Sequence, residues 1–167
     1  MRQALLLEVT TTGNTLQQLL NSFNEEQLNT VPFEGSWTAA QVASHICKAG
    51  DCGVLYGSAV PSDRQPDEKI PAVKSVFLNF DTKMTSPQFI QPDEGHLPKA
   101  SILKDTAATW EKLTTAAGTV NLTDECTSFE VPGFGPFTRF EWIQFINIHT
   151  QRHIHQLQRI YDAVVKA

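Results

Sequence analysis

The sequence predicts an all-α chain arranged as a four-helix bundle, with a long proline-rich crossover between helices two and three. Two observations carry this. Apolar residues recur three, four and seven apart in four long stretches, the period of a helix face. Six of the nine prolines fall between residues 61 and 98, where they exclude a long uninterrupted helix. Short loops force neighbouring helices antiparallel, whereas a connection of about 45 residues returns the chain across the bundle and lets helices two and three run parallel.

The first helix occupies the opening two dozen residues, where Leu5, Leu6, Val9, Leu16, Leu19, Leu20 and Phe23 share a face; Gly13 inside it lowers helix propensity. The second starts at Thr38, three residues before Gln41 in the arrangement of a capping box. It continues through Val42, Ile46 and Ala49 to an end near Gly50 or Gly53, with Val54 and Leu55 as an extension. Within the crossover, Val73, Val76, Phe77, Phe80 and Met84 have the spacing of a short anchoring helix. The third long helix runs from Lys99 to Ala117 with Gly118 as its stop. Residues 119–136 are irregular, and the last helix runs from about Phe137 to the C-terminus through Trp142, Ile146, His149, His153, Leu157 and Ile160.

A length of 167 residues fits one domain, residues 1–167, able to bury a core without disulfides. Thirteen basic against 18 acidic residues, with no basic cluster, argue against a nucleic-acid partner. The opening MRQALLLEVTTT lacks the pattern of a secretory signal, and no apolar run approaches the roughly 18 residues of a membrane span. Three cysteines, Cys47, Cys52 and Cys126, form no even framework, so a reducing, cytoplasmic compartment is expected.

The histidines carry the chemistry. Each helical residue advances about 100°, so His149 and His153 lie one turn apart on the face that also holds Trp142, Ile146 and Ile160, and point into the bundle. His45 shares the inner face of helix two with Gln41, Val42, Ile46 and Ala49. Three inward imidazoles from two helices can converge on one divalent metal and leave positions open for water or substrate. Hydrogen-bonded core histidines without a metal are the alternative. His155 points to another face, His96 sits in a solvated loop, and Cys47 and Cys52 read as small apolar fillers. Gln41 and Gln156, one turn from His45 and near one turn from His153, are candidates to orient the imidazoles; capping by Gln41 and a surface amide for Gln156 are the competing roles.

The segments WTAAQVASHI, FEVPGFGPFTRFEW and IHTQRHIHQL resemble, in order and spacing, the DinB/YfiT-like superfamily of metal-dependent enzymes. The matching positions are Trp37, His45, His149, His153 and Gln156. The resemblance implies an up-down-down-up bundle, a homodimer, a bacterial source, and a divalent ion held by the three histidines. It also implies thiol-dependent transfer to electrophiles. Three neutral imidazoles leave the ion's charge uncompensated, which favours hydroxide or thiolate at the open position, so either transfer of a low-molecular-weight thiol to a small-molecule substrate or hydrolysis is expected. Zinc, nickel and iron all accept imidazole, so the sequence does not choose among them. The alternative is a non-catalytic, dimeric bundle that binds a metal or small molecule.

Overall fold

The computed structural model describes residues 1–166. The chain is mostly helical. Among the described residues there are seven α-helices, α1 (Arg2–Ser22), α2 (Glu25–Asn29), α3 (Ala39–Ala49), α4 (Gly53–Tyr56), α5 (Ile70–Phe77), α6 (Lys99–Thr119) and α7 (Arg139–Val164). Two two-residue strands, β1 (Ala59–Val60) and β2 (Glu125–Cys126), pair antiparallel, with Ala59 opposite Cys126 and Val60 opposite Glu125. No helix among the described residues is long and apolar enough to cross a membrane.

Cross-helix contacts fix the packing order. Arg2 donates to the Ala117 and Val120 carbonyls, Trp110 Nε1–H to the Val9 carbonyl at 2.7 Å, and Gln17 to Thr106 Oγ1 at 2.7 Å. As one number rises the other falls, so α1 and α6 run antiparallel. Between α1 and α7 the numbers rise together: Gln144 donates to Glu8 at 2.7 Å, and the Phe23 and Tyr161 rings meet edge-on at 5.2 Å. Helix α3 packs on both α6 and α7. Apolar side chains from every helix join one buried cluster, including Leu5, Leu28, Val42, Leu55, Val73, Leu113 and Ile146.

Two local expectations need correction, and one short helix carries no periodic signal in the sequence. Helix α5 stops at Phe77, so Phe80 and Met84 lie outside it; Leu78 caps it, the Asn79 side chain accepts the Asp81 N–H at 3.2 Å, and both aromatic and methionine are exposed. Gly118 does not stop α6, which continues to Thr119 and ends at extended Val120; Gly118 stays helical, without the positive φ of a left-handed glycine cap. Residues 24–30 contain α2, whose Asn24–Gln27 capping box nucleates a helix too short to show a period.

Gly13 has a reason the sequence alone hid. A Cβ there would lie 1.9 Å from Trp110 Cδ1, because the buried indole comes up against the α1 backbone to reach the Val9 carbonyl. Gly13→Ala should therefore destabilise the fold by about 1–3 kcal/mol, despite alanine's better helix propensity. Denaturant unfolding checks this, and a variant as stable as the parent would contradict it.

The start of α7 is pinned from the 61–69 segment. Thr138 and Glu141 form a capping box, and the fully buried Glu141 carboxylate accepts from both terminal nitrogens of the Arg64 guanidinium at 2.7 and 2.8 Å and from the Lys69 N–H at 2.8 Å. Arg64 also reaches Glu125 on β2 at 2.8 Å. Burial alone would raise the Glu141 pKa, but the hydrogen bonds from Arg64 and the Lys69 and Thr138 N–H groups outweigh it and hold it below the usual range.

Candidate metal centre

Helix α3 begins with its own capping box: Thr38 Oγ1 accepts the Gln41 N–H and the Gln41 side-chain oxygen accepts the Thr38 N–H, at 3.1 and 3.0 Å. That start sets the rotation of the helix and turns His45 inward beneath Trp37, whose ring lies 5.0 Å from the imidazole. From α7, His149 and His153 project one turn apart to meet it. All three are buried, at 2%, 8% and 8% exposure.

The three Nε2 atoms converge. His149 Nε2 lies 3.3 Å from His45 Nε2 and 3.1 Å from His153 Nε2. The outer nitrogens are already engaged. His45 Nδ1–H donates to the Ile90 carbonyl at 2.7 Å, with Ser86 Oγ at 3.3 Å, and His153 Nδ1–H donates to Gln156 Oε1 at 2.8 Å. A neutral imidazole that donates through Nδ1 has only a lone pair at Nε2, so His45 and His153 both aim lone pairs at the same point. His149 Nε2 carries at most one proton and can satisfy only one of them.

A cation resolves that conflict. Two imidazole nitrogens, each about 2.0–2.1 Å from a tetrahedral zinc, stand roughly 3.3–3.4 Å apart, close to both observed separations. The ligand atoms of His45, His149 and His153 all lie within 4.8 Å of one another, so the cluster can hold a metal ion. Phe145 stacks on His149 at 5.9 Å and Phe77 meets it edge-on at 6.0 Å, giving the site an apolar wall.

Electrostatics favour neutral ligands. Burial lowers all three histidine pKa values. For His149 the neighbouring His153 and His45 reinforce this; for His153, pushed down to about 3, His45 adds to burial and the Gln156 bond partly offsets both. Neutral imidazole is the form that binds metal. The folded metal-free chain binds these protons more weakly than the unfolded chain, whose histidines titrate near 6.5, so the unfolded state gains protons first as pH falls. Stability is therefore complete above about pH 6.5 and declines below it. Chelator-treated protein should melt progressively lower from about pH 7 to about pH 5; a flat melting temperature across that window would contradict the burial of three neutral imidazoles.

The other sequence candidates fall as follows. Gln156 contacts His153, whereas the Gln41 side-chain oxygen is committed to the helix cap. His96 is exposed and meets Glu25 at 2.8 Å, and His155 is exposed and stacks on Phe80 at 4.0 Å. The three thiols are free, and burial raises each pKa, Cys52 to about 11, so they stay protonated fillers. Surface hollows of about 390 and 410 Å³ lie against α6, beside α3–α4 and α1 respectively, and neither is lined by a histidine. Sequence reasoning missed the Ile90 carbonyl, because a backbone acceptor carries no side-chain signature.

The chain is 22% identical over 152 residues to the uncharacterized protein YuaE of Bacillus subtilis (strain 168), covering 89% of this chain and 91% of that one. No solved structure matches. The DinB superfamily matches residues 8–157, a span that contains all three converging histidines and Gln156, and the chain belongs to that superfamily.

Proposed function

We propose that this chain is a metal-dependent enzyme in which His45, His149 and His153 hold one divalent ion, zinc, nickel or iron, and that it transfers a low-molecular-weight thiol to a small electrophile or carries out a related hydrolysis. The observation that carries this is the convergence of the His45 and His153 Nε2 lone pairs on His149, at 3.3 and 3.1 Å. Bound there, a divalent ion lowers the pKa of a coordinated thiol or water.

The residues divide the work. Gln156 fixes the His153 ring through Nδ1, Ile90 does the same for His45, and Phe77 and Phe145 keep water from the apolar side. Gln41 acts through the cap that orients α3. In the transfer, the thiol's S–H proton passes to solvent water, a new S–C bond forms at the electrophilic carbon, and the C–leaving-group bond breaks, with the leaving group taking the bonding electron pair. No carboxylate hydrogen-bonds to the three histidines among the described residues, which supports thiol transfer over base-assisted hydrolysis.

The helix directions and the three-histidine geometry support an up-down-down-up bundle forming one domain, with residues 61–98 as the crossover. Free cysteines support a cytoplasmic location, and the bacterial source and homodimer rest on the family resemblance. Thiol-transfer assays with a model electrophile and several bacterial thiols test the activity. Metal-dependent acceleration that is lost in His149→Ala is expected; metal binding with no acceleration would instead identify a non-catalytic binding bundle.

A further inference from the structure

The segment 86–93 is tied to α3 by a set of contacts centred on one exposed carboxylate. Ser44 Oγ–H donates to Asp93 Oδ2 at 2.9 Å, and the Asp93 N–H donates back to Ser44 Oγ at 3.1 Å. Lys48 Nζ donates to Asp93 Oδ1 and to the Gln91 carbonyl, each at 2.8 Å, and Gln91 Nε2 closes the segment on itself through the Ser86 carbonyl at 2.8 Å. Ser44 and Lys48 flank His45 on α3, and the tied segment includes the 3-10 turn Gln88–Ile90, whose last carbonyl accepts the His45 Nδ1–H at 2.7 Å.

We infer that Asp93 is a positioning residue: with Ser44 and Lys48 it clasps residues 86–93 onto α3, so that the Ile90 carbonyl holds His45 as its Nδ1–H tautomer with the Nε2 lone pair facing His149 and His153. The inference rests on the three-histidine metal reading for its consequence, not for its geometry. Neutral histidine in water prefers the Nε2–H form, which would put a proton where the lone pair is needed, and the nitrogen that carries the proton is decided by the bond the other makes. A carbonyl in a proline-rich connection stays over His45 only if that connection is fixed to the helix, and Asp93 supplies three of the ties. The Asp93 side chain is 60% exposed, so it contributes little to folding as a surface ion pair.

Two readouts test this on Asp93→Ala, with Ser44→Ala as a second variant and Asp93→Asn, which keeps an acceptor for Ser44, as the conservative one. Imidazole ¹⁵N shifts of the metal-free full chain at neutral pH should report Nδ1–H for His45 in the parent and a shift toward Nε2–H in both alanine variants. Zinc affinity by competition with a chromogenic chelator should fall by about tenfold in the alanine variants and less in Asp93→Asn, with the metal-free melting temperature little changed. Parent tautomer and parent zinc affinity in both alanine variants would overturn the inference. A tautomer shift in a protein whose parent binds no zinc would leave the clasp standing and remove the metal reading instead.

Discussion

Zinc-loaded protein is expected to melt well above the same protein after chelation, and His149→Ala is expected to show no such difference. A ligand that binds only the folded state stabilises it by about 4 kcal/mol at a free concentration 1,000 times its dissociation constant. For a chain of this size that is on the order of 10 °C in melting temperature. The physical source is local. Without an ion, the His45 and His153 lone pairs face each other across His149 in a buried, aromatic-walled site, and one proton cannot satisfy both. Removing the His149 side chain takes away the central nitrogen of the proposed site, so any remaining shift with zinc would have to come from elsewhere. Thermal melts of both proteins, with and without chelator, give the comparison directly.

Arg64→Ala should destabilise the protein by about 3–5 kcal/mol at neutral pH, because it leaves the fully buried Glu141 carboxylate without its counter-charge. The Lys69 and Thr138 N–H groups still donate to it, but neither carries charge. The effect has a defined pH dependence. Glu141 is held below its ordinary value of 4.5 in the folded protein, so its contribution is complete above about pH 4.5 and is lost as pH falls through the lower folded value. In the variant, protonating the stranded carboxyl relieves the penalty. The gap between parent and variant should therefore narrow in acid. Denaturant midpoints at neutral pH and near pH 4 check the sign; a gap that widens in acid would contradict the assignment. Arg64→Ala combined with Glu141→Leu should recover part of the loss, since no unpaired charge remains.

The parts of this structure that were legible in sequence are those set by side-chain identity at fixed helical spacing. The apolar periods located α1, α3, α6 and α7, and the one-turn separation of His149 and His153 placed them on a shared face that the structure brings to His45. The Thr38–Gln41 pair marked the start of α3, and the same pair decided the fate of Gln41, whose oxygen caps the helix while Gln156 takes the contact to a histidine. What was hidden depends on backbone groups and on distance along the chain. Ile90 acts through a carbonyl 45 residues from His45, and Asp93 meets Ser44 across 49 residues, in a stretch between Pro87 and Pro98 with no helical period of its own. The two-residue strands are too short to alternate, and Gly13 read as a weak helical position until the Trp110 indole appeared against it. Gly118 misled because its backbone keeps a helical conformation with no positive φ, so α6 runs through it to Thr119, whereas Gly50 does cap α3.

Whether His45, His149 and His153 hold one divalent ion can be read from anomalous scattering by crystals grown with zinc. A single strong peak about 2.0–2.1 Å from all three Nε2 atoms is expected. Fully ordered imidazoles at their present separations with no peak between them would contradict it.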